Sequence, residues 1–495
     1  MLLAHCSQAQ IEQQKRLEVP IFFEQEGYSL LPLDSSGVVL YRLFTNGEQQ
    51  QTELTCLDTT FQQTWRGFLT LPQGFSFIKT TASNGRIYVF CRTTQKQIGY
   101  MVYSVDAKDG SYLSIPINET APFHVTDFTV TRDAFLISGY FNFRPVILWH
   151  SLRTNQSKLL SGFLNQQGEL VQIKTYANGE VDVIVSGRNF FRRKSIWIQH
   201  YNSDGELLKT AAIEPDESKH LIFGRAARIH NDNEVIAGVY GRSFEYARGI
   251  FVTDVNTYGE YVTHYYNFAD LKNFFHYMKV NRERRIKERI ERRKIKGKKN
   301  KFNYRFLVHE VVPYNGQYIM LGEAFYVQYS SQLSFYQTVS YANNFSPWSY
   351  GISNNLNKTY SNSSFFNGFH YTHAVVIGFD ENANLKWDNS FEINGINSSQ
   401  LEQFVKVYPT QNHLVLLYLY ENIIRTKIIE GSQVIEGTHQ NAIQALEGET
   451  VVNNSTSTSK LDYWYGNHFL VYGIQSVQHN GIQRKVFFIN KISVH

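Results

Sequence analysis

A chain of 495 residues with 48 Lys+Arg against 43 Asp+Glu carries a formal charge of only +5, which excludes a generic nucleic-acid binder unless the positive charge is concentrated locally. Its length exceeds what one ordinary hydrophobic core supports, so the chain either divides into domains or repeats one unit. With 36 Phe, 32 Tyr and only 10 Pro, the composition suits pleated, half-buried strands and leaves few long helices.

The first ten residues, Met1-Leu-Leu-Ala-His-Cys-Ser-Gln-Ala-Gln10, read as the end of a secretory signal, with small residues at Ser7 and Ala9 before a cleavage point. This stretch resembles the export signals of Bacteroidota envelope proteins, which implies a periplasmic or otherwise exported protein; an ordinary cytosolic N-terminus is the plain alternative. Cys6 raises a lipoprotein, but His5 before it is bulkier and more polar than lipoprotein processing requires. No later stretch approaches the roughly 18–20 apolar residues of a transmembrane helix. Cys56 and Cys91 sit in apolar strand-like runs and are expected to be buried free thiols.

From residue 30 onward a strand pair recurs: a strongly apolar strand often ending in Gly, then a second strand running into an Asp/Asn-Gly turn. Arg86–Cys91 precedes Tyr100–Asp106; Ala134–Gly139 precedes Pro145–Trp149; Val181–Gly187 precedes Ser195–Tyr201; Glu234–Gly238 precedes Gly249–Asp254. The pattern resumes at Tyr318–Gly322 and Ala374–Asp380, and weaker copies follow at His413–Tyr418 and His468–Gly473, the last leading to Lys485–Ile489. With Val38–Tyr41 as a partial first copy, seven or eight units are expected. Strands this apolar need cover on both faces, which radially stacked sheets provide, so the predicted fold class is all-β, a β-propeller; a β-sandwich is the alternative. The closing strand and the phrase Phe379-Asp-Glu-Asn-Ala-Asn-Leu-Lys-Trp387 resemble the loose repeat of quinoprotein-like and WD-like propellers across residues 30–495. Trp387 is expected to pack between blades.

Two inserts break the period, giving first blades over 30–266, a basic helical insert over 267–303 and remaining blades over 304–495. The basic insert is the one convincing helix: Glu283 and Lys287, and Glu288 and Arg292, stand four apart in the favourable order, Ile286 and Ile290 share a face, and Gly297 is a stop. It reads as a solvated arm, as a contact for an acidic protein, or as a site for nucleic acid or anionic lipid. For a partner, Arg284, Arg285, Arg292, Arg293, Lys298 and Lys299 would engage carboxylates or phosphates. Lipid would want more aromatic surface than Ile286, Ile290 and Ile295 supply. The second insert, within 329–372, is nearly uncharged and rich in aromatics, Ser and Asn. There Trp348, Tyr350, Phe366 and Tyr371 are candidate contacts for a protein or a sugar, or parts of a loop capping the channel.

No catalytic, cofactor or metal signature is complete. His309-Glu310 lacks the second His of a zinc helix, and His370 and His373 would point to opposite faces of a strand. Ser203-Asp204-Gly205 is an ordinary hairpin turn rather than a sialidase Asp-box. The expectation is therefore a non-catalytic envelope scaffold with protein partners and no cofactor, for which nucleic acid is disfavoured and peripheral membrane contact stays open. One concrete form is an accessory subunit of an outer-membrane translocon of the type IX secretion kind. The rival is a propeller enzyme acting on a polysaccharide or small metabolite, with Asp380 or Glu323 near the channel.

Overall fold

Apolar side chains on both faces of a strand cannot be covered by one partner layer, and the chain meets this constraint by closing a ring. In a computed structural model the described residues are 11–21, 27–46, 49–93, 99–118, 122–162, 167–216, 218–228, 234–256, 258–330, 365–453 and 459–495. Eight antiparallel sheets follow one another, each built on a meander of four strands, here a to d from the axis outward; blade 6 adds a short strand at Asn397–Ser398, and strand a of blade 8 is split into Thr450–Asn453 and Lys460–Tyr465. Blades 1 to 8 span residues 29–70, 75–118, 124–159, 168–213, 220–267, 305–392, 406–442 and 450–494. The outermost strand of blade 8 is Ile11–Pro20, which pairs antiparallel with Ile482–Val494 and so joins the two ends of the ring. The protein is an eight-bladed β-propeller.

The strand pairs visible in the sequence are the b and c strands. Ala134–Phe141 and Arg144–Ser151 of blade 3 are buried almost throughout, whereas the outer Tyr112–Asn118 of blade 2 is mostly exposed. Apolar layers fill the seams between blades: Phe90 of blade 2 stacks on Phe128 of blade 3 at 4.6 Å, and Trp464 of blade 8 stacks on Phe61 of blade 1 at 5.9 Å. Each fully buried ring contributes about 1.5–3 kcal/mol relative to exposure. Tryptophan N–H groups add directed links across seams, Trp65 to Ala107 O at 2.9 Å and Trp464 to Gly37 O at 3.0 Å. Trp387 donates to Gln317 within its own blade at 2.8 Å and lies beside Gly431 of blade 7. Cys56 and Cys91 are buried and free.

Two local devices recur. In the c–d turns of blades 1, 4, 5 and 6, the side chains of Asp58, Asn202, Asn256 and Asp380 each accept from backbone N–H groups two and four residues on. The fourth residue of each turn is left-handed: Phe61, Gly205, Gly259 and Ala383. The a strands of blades 2 to 6 carry one extra residue at the same place, Ile78, Thr126, Val171, Ile222 and His309. Such a bulge tightens the local twist where the inner strands crowd the axis.

Gly205 sits under Trp149 of the preceding blade, and a Cβ there would fall 2.8 Å from the indole. Gly205→Ala is expected to cost about 1–3 kcal/mol. Gly481→Ala imposes similar backbone strain at φ +80° but meets no atom within 4 Å, so its thermal midpoint is expected to stay above that of Gly205→Ala.

Candidate functional site

The helix α1 (Val280–Ile295) forms as its charge spacing predicts, with Glu283 paired to Lys287 at 2.6 Å and to His276 at 2.9 Å. Arg292 donates instead to the Glu288 carbonyl at 3.3 Å, and the helix stops at Gly297, whose φ is +61°. Eight basic and three acidic residues give α1 a surplus equal to the +5 of the whole chain, so the remainder is balanced. Ile290 is buried against the core of blades 5 and 6, and Ile286 packs beside it.

A built seat holds the segment leading into α1. Asn267 and Asp270 form a reciprocal cap on a short 3-10 turn. The backbone N–H groups of Lys272 and Asn273 then donate to the two oxygens of Asp388 at 2.8 and 2.7 Å, and Ser390 donates to Asn273 O. Tyr277 stacks on His373 at 3.7 Å, with Phe274 and Tyr304 edge-on to the same imidazole. Thr372 Oγ1 donates to Ala324 O and accepts from His373 Nδ1, which leaves Nε2 as a lone pair without a partner among the described residues. Burial pushes the His373 pKa down to about 3, so the ring is a neutral packing surface.

The candidate contact residues separate on this seat. Arg284, Arg285 and Arg292 are exposed, and among the described residues no carboxylate lies within ion-pair distance of them. Arg293 is committed inward, donating to Lys299 O at 2.6 Å. Lys298 and Lys299 are exposed and border a cleft beside blade 5. Trp348 and Tyr350 lie outside the described residues. Within 365–372 the chain is already strand c of blade 6, which begins at Phe365. Phe366 is half-buried against Phe369 at 5.1 Å. Tyr371 corrects the expectation of a contact residue: it is wholly buried, and its hydroxyl is held by the backbone of Glu402, because strand c of blade 6 is covered on both faces.

The acids named for an enzyme are also committed. Glu323 is buried, accepts from Val405 N at 2.6 Å and Phe404 N at 3.1 Å, and meets His309 Nε2 at 2.9 Å, so it ties blade 6 to the start of blade 7. Asp380 caps its turn and pairs with Lys386 at 2.9 Å. A cleft of about 990 Å³ opens between the inner strands of blades 6 to 8, lined by Glu310, Lys406, Tyr408, Thr410, Tyr463 and Asn467.

Sequence reasoning missed one polar cluster, at the seam of blades 4 and 5. Asp182 meets His200 Nδ1 at 2.6 Å and Arg228 Nη2 at 3.0 Å, and it accepts from the Tyr176 hydroxyl. Arg228 also bonds Glu180 at 2.8 Å and lies 3.8 Å from the Tyr176 ring centroid. Burial acts to raise the Asp182 pKa, but hydrogen bonds from His200 and Tyr176 and the Arg228 charge outweigh it and hold that carboxyl below its ordinary range. Glu234 is within hydrogen-bonding reach of Asp182; burial first and the Asp182 charge second push it up to about 8. The two carboxyls are thus pushed apart in pKa, Asp182 toward the charged form and Glu234 toward the neutral one. The residues of the cluster are drawn from neighbouring repeats, and only the repeat period connects them in the sequence.

No family model matches this chain, and no curated protein sequence matches it. Among solved structures, it is similar to a europium-containing methanol dehydrogenase at 9% identity and TM-score 0.44, over 96% of this chain and 85% of that one. It is similar to a prolyl endopeptidase at 9% identity and TM-score 0.40, over 84% of this chain and half the length of the endopeptidase. The propeller domain of the trilobed protease from Pyrococcus furiosus matches at 7% identity and TM-score 0.37, over 83% of this chain and 98% of that domain. These likenesses concern the fold alone.

Folded Glu234 keeps its proton to about pH 8, whereas the unfolded chain releases it near 4.5. The folded state therefore binds more protons in that window, and its stability falls as pH rises through it. Glu234→Gln, which keeps a neutral group, is expected to flatten the decline in thermal midpoint between about pH 5 and about pH 8 by roughly 2 °C. Melting curves of both proteins across that range check this.

Proposed function

We propose that this propeller is a non-catalytic docking scaffold that engages an acidic protein partner through α1. One observation carries the reading: Arg284, Arg285 and Arg292 stand exposed on a helix whose approach is fixed by Asp388, His373 and Ile290, so the helix that presents the cations is in place before any partner arrives. A helix already in place adds no backbone-ordering cost on binding, and its cations steer an oppositely charged partner toward the site. The finer proposal, supported by the export-like reading of residues 1–10, is a periplasmic or cell-envelope location. There the protein would be an accessory subunit of an outer-membrane complex such as a type IX secretion translocon.

A second reading, an enzyme acting on a polysaccharide or small metabolite, is favoured by the opposite pKa shifts of Asp182 and Glu234, since carboxyls held apart in this way are a common form of acid–base machinery.

Affinity capture from the native cell envelope tests the scaffold. Full-length protein is expected to retain a partner that the triple variant Arg284→Glu/Arg285→Glu/Arg292→Glu loses by at least about tenfold, since each close charge pair carries about 1 kcal/mol or more. Equal capture by both proteins would remove α1 from the interface.

A further inference from the structure

In an antiparallel meander the b–c turn and the link from strand d to the next blade emerge at the same end of the sheet. Three consecutive blades place aromatic side chains at that end. In blade 4 the turn between Val181–Arg188 and Lys194–Tyr201 carries Phe190 and Phe191, 95% and 71% exposed, packed edge to face at 5.6 Å. In blade 3 the turn between Ala134–Phe141 and Arg144–Ser151 exposes Phe141 and Phe143. In blade 5 Phe244 lies under the Arg188 guanidinium at 4.5 Å, which makes the blade 4 and blade 5 turns neighbours. Phe143 O accepts from Gly168 N at the start of blade 4, which brings the blade 3 turn alongside.

Folding does not require these rings. The blade 4 turn is set by Asn189, whose side chain accepts from Arg193 N and whose carbonyl accepts from Arg192 N, so positions 190 and 191 accept any polar residue. The blade 3 turn is two residues long with Asn142 at φ +47° and Phe143 at φ +64°, a geometry that favours Asn-Gly. A phenylalanine there opposes both the backbone preference and the solvent.

Cations surround the rings. Arg188, Arg192 and Arg193 have no carboxylate within ion-pair distance among the described residues, and nearby acids are committed elsewhere: Glu169 to Lys194 at 2.8 Å, Glu245 to Arg305, and Glu214 to Asn189 and Ser195. Beside the blade 5 turn lies a cleft of about 480 Å³ lined by Lys219, Arg242, Arg248, Lys298, Lys299 and Lys301. Among the described residues Asp270 is the one carboxylate lining it, with Lys294 3.5 Å away, and Lys219 pairs with Asp216 at 2.8 Å.

We infer that this end of the propeller is a peripheral binding surface for an anionic phospholipid bilayer. Phe190 and Phe191, with Phe141 and Phe143, enter the headgroup–acyl boundary, the arginines meet lipid phosphates, and the basic cleft receives one headgroup. Aromatic rings favour that boundary, and each cation near an anionic leaflet adds about 1 kcal/mol. The rings stand on separate protruding turns rather than lining a groove, which suits a deformable lipid surface better than a protein ligand. The aromatic surface that α1 lacks for lipid is supplied here by the blades.

Flotation of the full-length protein with phosphatidylcholine vesicles, and with vesicles also containing phosphatidylglycerol, tests this. The protein is expected to bind the mixed vesicles and not the neutral ones. Phe190→Ser/Phe191→Ser and Arg242→Glu/Arg248→Glu are each expected to weaken binding by about tenfold or more without lowering the thermal midpoint. The α1 triple variant is expected to bind vesicles normally, so failure here and failure of the scaffold reading are distinguishable. Absence of binding to mixed vesicles, or equal binding by the phenylalanine variant, would overturn the inference. Soluble glycerol phosphate holding the protein off the vesicles would reduce the surface to a free-anion site, and polyglutamate binding that depends on Phe190 and Phe191 would make it a protein interface; either result also overturns it.

Discussion

The two-sided burial of the b and c strands is the constraint on which everything else rests. Val181–Arg188 presents apolar or small side chains to both neighbours along nearly its whole length, and neither a single covering layer nor a solvent-facing sheet can satisfy it. Radial stacking can, but only if the ring is complete, because an unclosed ring leaves one blade face bare. Closure therefore falls to Ile11–Pro20 across the last blade, helped by Trp464 reaching Gly37. Strands nearly five hundred residues apart in sequence become adjacent for this reason.

Closure also decides where variation is tolerated. The inner strands crowd the axis and share one bulge position in blades 2 to 6, and several c–d turns share one Asx-based geometry, so the inner strands and the c–d end of the molecule are repetitive. The opposite end carries the departures: the aromatic b–c turns of blades 3 to 5, the start of the basic insert after blade 5, and the extended b–c strands of blade 6. Surface features that cost solvation are concentrated where they do not disturb seam packing.

The buried polar groups follow the same logic. Glu323, Asp388 and His373 are each enclosed where chain segments from different repeats must be pinned together, and each has its charge or hydrogen-bonding capacity largely consumed by backbone groups or rings. The Asp182–Glu234 pair differs in setting two carboxyls close together across a seam, where burial and the Asp182 charge favour the neutral form of Glu234, which makes that seam sensitive to pH.

Local pattern alone determined the b and c strands of the blades, the Asx turns and α1, because period-2 apolarity, turn residues and four-residue charge spacing act over a few neighbours. The same reading put Arg284, Arg285 and Arg292 on a helix, and they are exposed there; that Glu288, four residues from both Arg284 and Arg292, pairs with neither was not legible from spacing. Only the tertiary structure decided the blade count, the closing strand, the burial of Tyr371 and the roles of Glu323 and Asp388. Each of these depends on which strand lies beside which: Asn273 finds Asp388 across more than a hundred residues, and the Tyr371 hydroxyl meets the backbone of Glu402, 31 residues on. Likewise, Phe143, Phe190 and Arg242 share one end of the molecule because every blade reverses direction the same number of times, a relation that only the assembled ring makes physical.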